Sequence, residues 1–286
     1  MDEFKDLEEK RRKSARLLSI GVIIIVIGAL LFIGVSNISE IGVIVAIVGI
    51  IIVIVAKVNF GKISSLFKNK YLPTLLEETL PGSRFDEKGK LLESELYSCG
   101  FLKKADRYTG GDLIVGKIGD VDFSTCDVKL EERHVRRTKN GTQVYYVAYF
   151  TGRFFNFDFH KEFVGRVIVT EASLFTLFSD LKKIELESID FNKKFSTYTN
   201  NEHSAFYILT PHLMEAIMNL EKRNPGSIGL SFHNNMLQVG INNSRDTFEL
   251  NMYKQINQEL IDAFRKDLLV IKGIVEELKL NRNIFM

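Results

Sequence analysis

Two long apolar runs lie near the amino terminus of the chain, separated by only five residues. Residues 17–35 carry no charge, and residues 41–56 are Ile, Val, Ala and Gly alone. A helix over the first run would rise about 28 Å, which is close to the hydrocarbon thickness of a bilayer. Neither run has the polar face of a helix in a soluble core, and a cleaved signal peptide needs no second run. The pattern predicts a transmembrane helical hairpin over residues 17–58, with helices at 17–35 and 41–58.

Lysines and arginines lie at the outer ends of the predicted hairpin and are absent from the connection between its helices. The connection at residues 36–40 has no cation, whereas cations cluster at the outer ends of both helices: Lys10, Arg11, Arg12, Lys13, Arg16, Lys57, Lys62, Lys68 and Lys70. Under the positive-inside rule both termini are cytoplasmic. Residues 1–16 then form a charged cytoplasmic segment, and all residues after 58 lie in the cytoplasm.

Glycines recur seven residues apart in both predicted helices. Gly21 and Gly28 lie in the first, and Gly42 and Gly49 lie in the second. Glycine allows helix backbones to approach closely in a membrane. These four positions could therefore let the two predicted helices approach each other, although glycine is common in membrane helices in any case.

After the predicted hairpin, the spacing of apolar residues along the chain changes, first to that of helices and then to that of strands. Residues 59–105 have apolar residues at helical spacing and predict linking helices, one of them over residues 87–98. Residues 106–286 predict a cytosolic α+β domain with flanking helices and a curved, mostly antiparallel sheet, because no long helix separates the short strands over residues 106–200. The strands, rich in Val, Ile, Tyr and Phe, are predicted at 113–118, 121–126, 144–150, 154–159, 165–170, 184–189, 228–232 and 237–241.

Local signals mark the ends of these elements. Thr210 and Pro211 predict the start of a helix, as N-cap and first helical residue. A last helix is expected over residues 255–280. Glycine- and asparagine-containing segments predict turns between strands: 110–112, 119–120, 139–141, 151–152 and 233–236.

Composition excludes several classes of protein. Hydrophobic residues make up 45% of the 286 residues and charged residues 26%, which excludes wholesale disorder. The net charge of +2 gives no field directed at nucleic acid. Cys99 and Cys126 cannot form a disulfide framework, and two thiols suit the reducing cytoplasm.

No established catalytic motif occurs in the chain. It lacks HExxH, CxxC, a phosphate-binding P-loop, G-x-G-x-x-G and a nucleophile elbow. Asp120 with Asp122, and Asp158 with His160, each place two potential metal ligands on one strand face, although solvent-facing alternation explains both pairs. We therefore assign no catalytic residue, cofactor or metal.

One basic stretch stands out in the predicted cytosolic domain. Arg133, Arg136, Arg137 and Lys139 lie beside a predicted hairpin turn, where they are candidates for contact with anionic lipid or an acidic partner. A solvated loop whose charge is offset by Glu131 and Glu132 explains the same stretch and is the more common case. Aromatic residues follow densely from Tyr145 to Phe159, as in a packed sheet. Phe154 and Phe155 point to opposite faces of a strand, so we expect one of them to be exposed and to mark a partner surface.

Four landmarks that follow the two spans, in order, resemble a known family. They are Tyr108-Thr109-Gly110-Gly111-Asp112, Thr151-Gly152-Arg153-Phe154-Phe155, Ile189-Asp190-Phe191-Asn192-Lys193-Lys194-Phe195 and Tyr207-Ile208-Leu209-Thr210-Pro211-His212-Leu213-Met214. Together they resemble the bacterial two-pass membrane proteins called domain of unknown function 3137, over most of residues 60–282. The chain departs from the family pattern at Gly111, where an acid is expected, and at 201–206, where Asp and Arg are expected.

This resemblance implies a fold and a bacterial cytoplasmic membrane location, but no activity or active site. An association of the family with LemA-like membrane proteins favours a role in a membrane complex. We therefore favour a non-enzymatic protein-interaction or scaffold subunit that contacts the lipid bilayer and either another membrane protein or a second copy of itself. Two alternatives remain: a module that binds anionic lipid through residues 133–139, and a membrane-tethered enzyme with an unrecognised site near Asp120, Asp122, Asp158 and His160.

Overall fold

The chain forms two compact units in the computed structural model. The structure describes residues 2–34, 39–139, 141–171, 180–278 and 280, with the backbone only for 2–4, 39 and 159–163. The predicted connection at 36–38, and Asn140 of a predicted turn, lie outside the described residues. One unit is Met1–Thr74 with Phe248–Phe264, and the other is Leu75–Thr247 with Arg265–Met286.

The helices and strands alternate irregularly along the chain. The described helices are α1 Asp2–Gly34, α2 Ser39–Thr79, α3 Glu93–Tyr97, α4 Ile189–Lys194, α5 Glu202–Ile208, α6 Pro211–Arg223 and α7 Gln258–Glu277. The described strands are β1 Arg84–Asp86, β2 Arg107–Ile118, β3 Val121–Thr138, β4 Gly141–Thr170, β5 Lys182–Ile184, β6 Ser196–Thr199 and β7 Ser227–Asn242.

Helices α1 and α2 contain the two apolar runs, and both are long and apolar enough to cross a membrane. They pack closely at the predicted glycines. A Cβ added at Gly28 would lie 2.5 Å from the backbone nitrogen of Ala46, and one added at Gly49 would lie 2.8 Å from the carbonyl oxygen of Gly21. Only glycine permits this backbone approach, so the predicted role of these residues is confirmed.

In the same unit, a buried polar cluster lies near the start of α1. The Glu8 carboxylate accepts hydrogen bonds from the Arg11 and Arg12 guanidiniums at 2.7 and 2.8 Å, and from the backbone N–H of Ile256 at 3.0 Å. Arg11 also donates to the carbonyl of Met252. Glu8 and Arg11 therefore tie the first helix to the chain segment that precedes α7.

The second unit contains an antiparallel sheet, which confirms the predicted α+β fold class. Among the described residues the strand order is β1-β2-β3-β4-β6-β5, and β7 pairs with β4 along its other edge. The sheet core includes Phe101, Cys126, Phe150 and Phe154, all fully buried. Cys99 and Cys126 are buried free thiols.

Strand β4 differs most from the sequence prediction. Three strands and a turn at Thr151-Gly152 were expected over 144–170, but β4 is continuous from Gly141 to Thr170. Gly152 pairs with both Val128 and Asn242, and a Cβ there would lie 2.0 Å from the Ile241 carbonyl oxygen. The glycine therefore allows a neighbouring strand to come close and does not make a turn.

Strand β7 is also continuous, so the predicted hairpin at 233–236 is wrong. Asn234 adopts a positive φ of 51° at an irregularity in the pairing with β4. Asparagine tolerates this left-handed conformation, which lets β7 follow the course of β4 without reversing. The Gly110-Gly111-Asp112 turn is similarly a bulge inside β2, with Asp112 at φ 53°.

Other elements match the predictions to different degrees. The side chain of Thr210 caps α6 by accepting from the Leu213 N–H, and Pro211 is the first helical residue, as predicted. The helix predicted over 87–98 covers only Glu93–Tyr97, and the strand predicted over 184–189 ends at Ile184. Ile189 instead begins α4, because Ser188 caps that helix by accepting from the Phe191 N–H.

Candidate functional site

Strands β3 and β4 extend beyond the rest of the sheet as a two-stranded ribbon. Strand β2 pairs with β3 only as far as Glu131, and β7 pairs with β4 only from Gly152 onward. We call residues 132–139 and 141–148 the ribbon. No third strand pairs with the ribbon in the part of the chain that the structure describes.

All four cations singled out in the sequence lie in the ribbon and are exposed: Arg133, Arg136, Arg137 and Lys139. The ribbon has one acid, Glu132, at its base, and residues 133–148 contain none. Glu132 accepts a hydrogen bond from Lys103 at 2.8 Å. Within the described residues, Arg136, Arg137 and Lys139 form no ion pair, so the ribbon presents uncompensated positive charge.

Large hydrophobic side chains accompany these cations. Five of them are between 37% and 49% exposed: Val135, Val144, Tyr145, Tyr146 and Val147. The Arg107 guanidinium carbon lies 3.8 Å from the centroid of the Tyr146 ring. The rings of Tyr145 and His134 are stacked, with their centroids 5.4 Å apart. The strand register places Val135, Val144 and Tyr146 on one face of the ribbon and Tyr145 and Val147 on the other. Exposed apolar side chains rimmed by polar residues are typical of an interaction site.

The aromatic exposure therefore lies in the ribbon and not at Phe154 or Phe155. Both phenylalanines are buried, so the expectation that one would be exposed is wrong. Phe154 belongs to the core on one face of β4, while Phe155 stacks on Phe157 on the other. The sheet is covered on both faces at this position, which alternation within one strand cannot reveal.

A second polar group lies at the centre of the sheet. Ligand atoms of Asp112, Asp127 and Asp246 all lie within 4.8 Å of one another. Asp112 comes from the β2 bulge, Asp127 from β3, and Asp246 from the exposed segment after β7. Three carboxylates at this spacing are the kind of ligand that a hard divalent cation prefers.

An arginine already neutralises part of this acidic group. Arg153 Nη1 lies 3.3 Å from the Asp127 carboxylate, and Arg153 also donates to Thr125 Oγ1 and to the Asp112 carbonyl. The other Asp127 oxygen accepts from the Thr247 N–H at 2.8 Å. The arrangement therefore acts as an internal bracket that joins β2, β3, β4 and the segment after β7.

Burial changes the titration of these acids. It raises the pKa of Asp127 to about 7, against the opposing effects of Arg153 and the Thr247 N–H, and the charges of Asp246 and Asp112 add to the rise. Burial likewise raises the pKa of Asp267, which Arg245 and Arg153 oppose. The cluster therefore carries a group that gains or loses a proton near neutral pH.

Sequence reasoning missed this bracket. Asp127 lies between Cys126 and Val128, and Arg153 precedes Phe154, so each charge has an apolar neighbour in the chain. A charge in such a position is seldom buried without a partner. That rule predicts a buried pair but does not identify its members, since the two residues are 26 positions apart.

The acids proposed earlier for catalysis behave differently. Asp122 and Asp158 lie opposite each other on β3 and β4, where Asp122 is 3.5 Å from Lys117 and Asp158 accepts from Asn235 at 2.7 Å. Asp120 lies in the turn between β2 and β3. The side chain of His160 lies outside the described residues. Among the described side chains, Asp120, Asp122 and Asp158 belong to no group of three metal-ligating residues.

Comparison with known proteins finds one family model that matches part of the second half of the chain. Residues 148–280 match the family described as "Protein of unknown function (DUF3137)". No match is found among curated protein sequences. A crystal structure of the mycobacterial trehalose monomycolate transport factor A is similar with a TM-score of 0.39 and 8% identity, over 75% of this chain and 96% of that chain. At that score the likeness carries no functional argument.

Proposed function

We propose that this chain, whose residues 148–280 match the DUF3137 family of unknown function, is a membrane-anchored interaction subunit of a larger membrane complex. Helices α1 and α2 would anchor it, and the ribbon would contact the partner. The family resemblance predicted from the sequence is confirmed over these residues, but it supplies no activity.

One observation carries the proposal. The ribbon exposes five large hydrophobic side chains beside four cations, on strands that the described sheet does not cover. A solvated hairpin has no need of such residues, and their exposure reduces solubility. A partner that buries them would remove that cost.

The anchor is proposed to place the sheet in the cytoplasm of a bacterium, at the inner membrane. The support is the distribution of cations, which lie at residues 10–16 and 57–70 and are absent from the connection at 36–40. The domain division proposed is a charged segment at 1–16, the hairpin at 17–58, linking residues at 59–105 and the α+β domain at 106–286.

Site-specific photo-crosslinking in native membranes tests the interaction. A benzophenone amino acid in place of Tyr145 in the full-length protein should give an adduct with another membrane protein. The matched control is Tyr207, which is 45% exposed against 44% for Tyr145. An adduct from position 145 alone supports the proposal, whereas no adduct, or equal adducts from both positions, contradicts it.

Binding to anionic lipid is a second candidate, favoured by the four cations and the lack of acids over 133–148. The chain has no tryptophan, so Tyr145→Trp creates a unique fluorescent reporter. In nanodiscs, lipid binding predicts a blue shift with phosphatidylglycerol that phosphatidylcholine does not produce. Combining Arg136→Glu and Arg137→Glu should abolish the shift. If phosphatidylglycerol produces no blue shift even at low salt, binding of the ribbon to anionic lipid is excluded.

A further inference from the structure

The two outer edges of the ribbon differ in charge. The β3 edge carries Arg133, Arg136 and Arg137, and charged side chains of this kind discourage pairing with another strand. The β4 edge, residues 142–148, reads Thr-Gln-Val-Tyr-Tyr-Val-Ala and has no charge and no proline. It is rich in residues that favour strands, so the β4 edge is the one open to an additional strand.

The direction of the backbone groups on this edge follows from one hydrogen bond. The N–H of Arg133 donates to Asp106 Oδ2 at 2.7 Å, and it therefore points away from β4. Arg133 lies opposite Tyr146, so this is a non-hydrogen-bonded pair of the antiparallel ladder. The two types of pair alternate along the ladder, so Val144 and Thr142, two and four residues before Tyr146, also belong to non-hydrogen-bonded pairs. The N–H and C=O groups of Thr142, Val144 and Tyr146 therefore point outward.

Beyond residue 148, the same edge of β4 is already occupied by Asn242 and strand β7. The Asn242 side chain accepts from the Thr151 N–H at 3.0 Å and donates to the Tyr149 carbonyl at 3.1 Å. Strand β7 ends at Asn242 and occupies the same edge of β4 from Gly152 onward. An added strand would thus continue the line of β7 along 142–148, over about 23 Å.

We propose that the Thr142–Ala148 edge binds an extended acidic segment of a partner protein by strand addition. The proposal rests on the proposed function and names the chemistry of its partner. Backbone hydrogen bonds to Thr142, Val144 and Tyr146 would hold the segment. Its carboxylates would lie near the cations of β3, about 10 Å away across two strand spacings.

Charge decides among the occupants of this edge. A second copy of this chain would bring four further cations to the four in the ribbon, with no acid between residues 133 and 148 on either copy. In two copies paired along this edge, the β3 cations would lie about 14 Å apart across three strand spacings, so they repel at low ionic strength and are screened at high salt. An acidic segment instead neutralises the ribbon and covers its exposed Val and Tyr side chains.

Peptide binding to the full-length protein tests the strand addition. The protein with Tyr145→Trp, in phosphatidylcholine nanodiscs, is titrated with a heptapeptide that alternates glutamate and valine. A lysine–valine heptapeptide is the charge control. We expect the acidic peptide to bind at least ten-fold more tightly.

A proline on the edge separates strand addition from other binding. Val144→Pro removes one outward N–H and keeps the ladder to β3, because proline is tolerated where the N–H faces outward. Val144→Thr keeps that N–H. Proline should weaken the acidic peptide at least ten-fold and threonine less than two-fold. If proline has no effect while Tyr145 still crosslinks, strand addition is wrong and the proposed function stands.

Amide hydrogen exchange gives an independent readout. On binding the acidic peptide, exchange should slow at least ten-fold at Thr142, Val144 and Tyr146, whereas Gln143, Tyr145 and Val147 already bond to β3. A uniform change along 142–148 contradicts strand addition. Slower exchange at these amides with phosphatidylglycerol nanodiscs and no peptide also contradicts it, because that result indicates a membrane surface. Exchange that slows with protein concentration in the absence of peptide contradicts it as well, because that result indicates a second copy.

Discussion

Arg153 and Asp127 lie directly opposite each other on β4 and β3, and their side chains pair at 3.3 Å where both are almost fully buried. The arginine also bonds to Thr125 and to the backbone of Asp112, so a single side chain links three strands. The pair is thus the centre of the bracket inside the sheet.

Removing Arg153 should strongly destabilise the second unit. At pH 8, Arg153→Met leaves the buried Asp127 without its cation, so the carboxyl group must either stay charged and unpaired or take up a proton, and the bonds to Thr125 and Asp112 are lost. Breaking a buried pair in this way costs about 3–5 kcal/mol. Chemical denaturation of the full-length protein in detergent measures the free energy of unfolding. Lys117→Met is the control, because Lys117 pairs with Asp122 at the exposed surface, and it should cost less than about 1 kcal/mol. Equal losses would contradict the buried role of Arg153.

The raised pKa of Asp127 predicts how stability depends on pH. Between its ordinary value of 3.8 and about 7, the folded chain holds a proton that the unfolded chain has released. The free energy of unfolding therefore falls as pH rises through this window. From pH 5 to pH 7.5 the Tm of the unmodified protein should decrease relative to that of Asp127→Asn. The comparison is needed because burial lowers the pKa of His233 to about 4, which makes stability rise with pH equally in both proteins. A variant with the same pH slope as the unmodified protein would refute the assignment.

The glycine contact predicts a position-specific effect in the helical hairpin. Gly28→Ala places a Cβ 2.5 Å from the Ala46 backbone nitrogen, whereas Gly34→Ala meets nothing within 4 Å. Forcing the helices apart costs about 1–3 kcal/mol. In a titration with sodium dodecyl sulfate, the midpoint of unfolding should move to a lower detergent concentration for Gly28→Ala and stay unchanged for Gly34→Ala. A larger shift for Gly34→Ala would show that the helices do not meet at the glycines.

The buried carboxylate of Glu8 predicts a change in protease sensitivity. Glu8→Ala removes the acceptor for Arg11, Arg12 and the Ile256 N–H, so residues 248–257 lose an attachment to α1. Trypsin should cut faster after the exposed Lys254. Glu9→Ala is the matched control, because Glu9 pairs with Lys13 where both are exposed. Unchanged cleavage in the Glu8 variant would mean that the cluster does not hold this segment.

Several features could be predicted because they depend only on neighbouring residues. The apolar runs 17–35 and 41–56 predict two long helices from their hydropathy, since transfer free energies add along a helix. The start of α6 follows from Thr210 and Pro211, which satisfy and fix the first helical turn. The basic stretch from Arg133 to Lys139 was likewise placed on a hairpin by the turn signal after it.

Tertiary structure decided the rest, because pairing between distant strands depends on contacts that are not local in sequence. Gly152 is predicted to form a turn from the local sequence, yet it lies within β4, where the lack of a side chain allows β7 to approach. Phe154 and Phe155 are both buried because other parts of the chain cover both faces of the sheet. The sequence by itself determined the two long apolar helices, the α+β class and the basic ribbon. Only the fold could bring Asp127 to Arg153 and leave the β4 edge at 142–148 uncovered, since the first depends on the register between β3 and β4 and the second on where β7 stops pairing with β4.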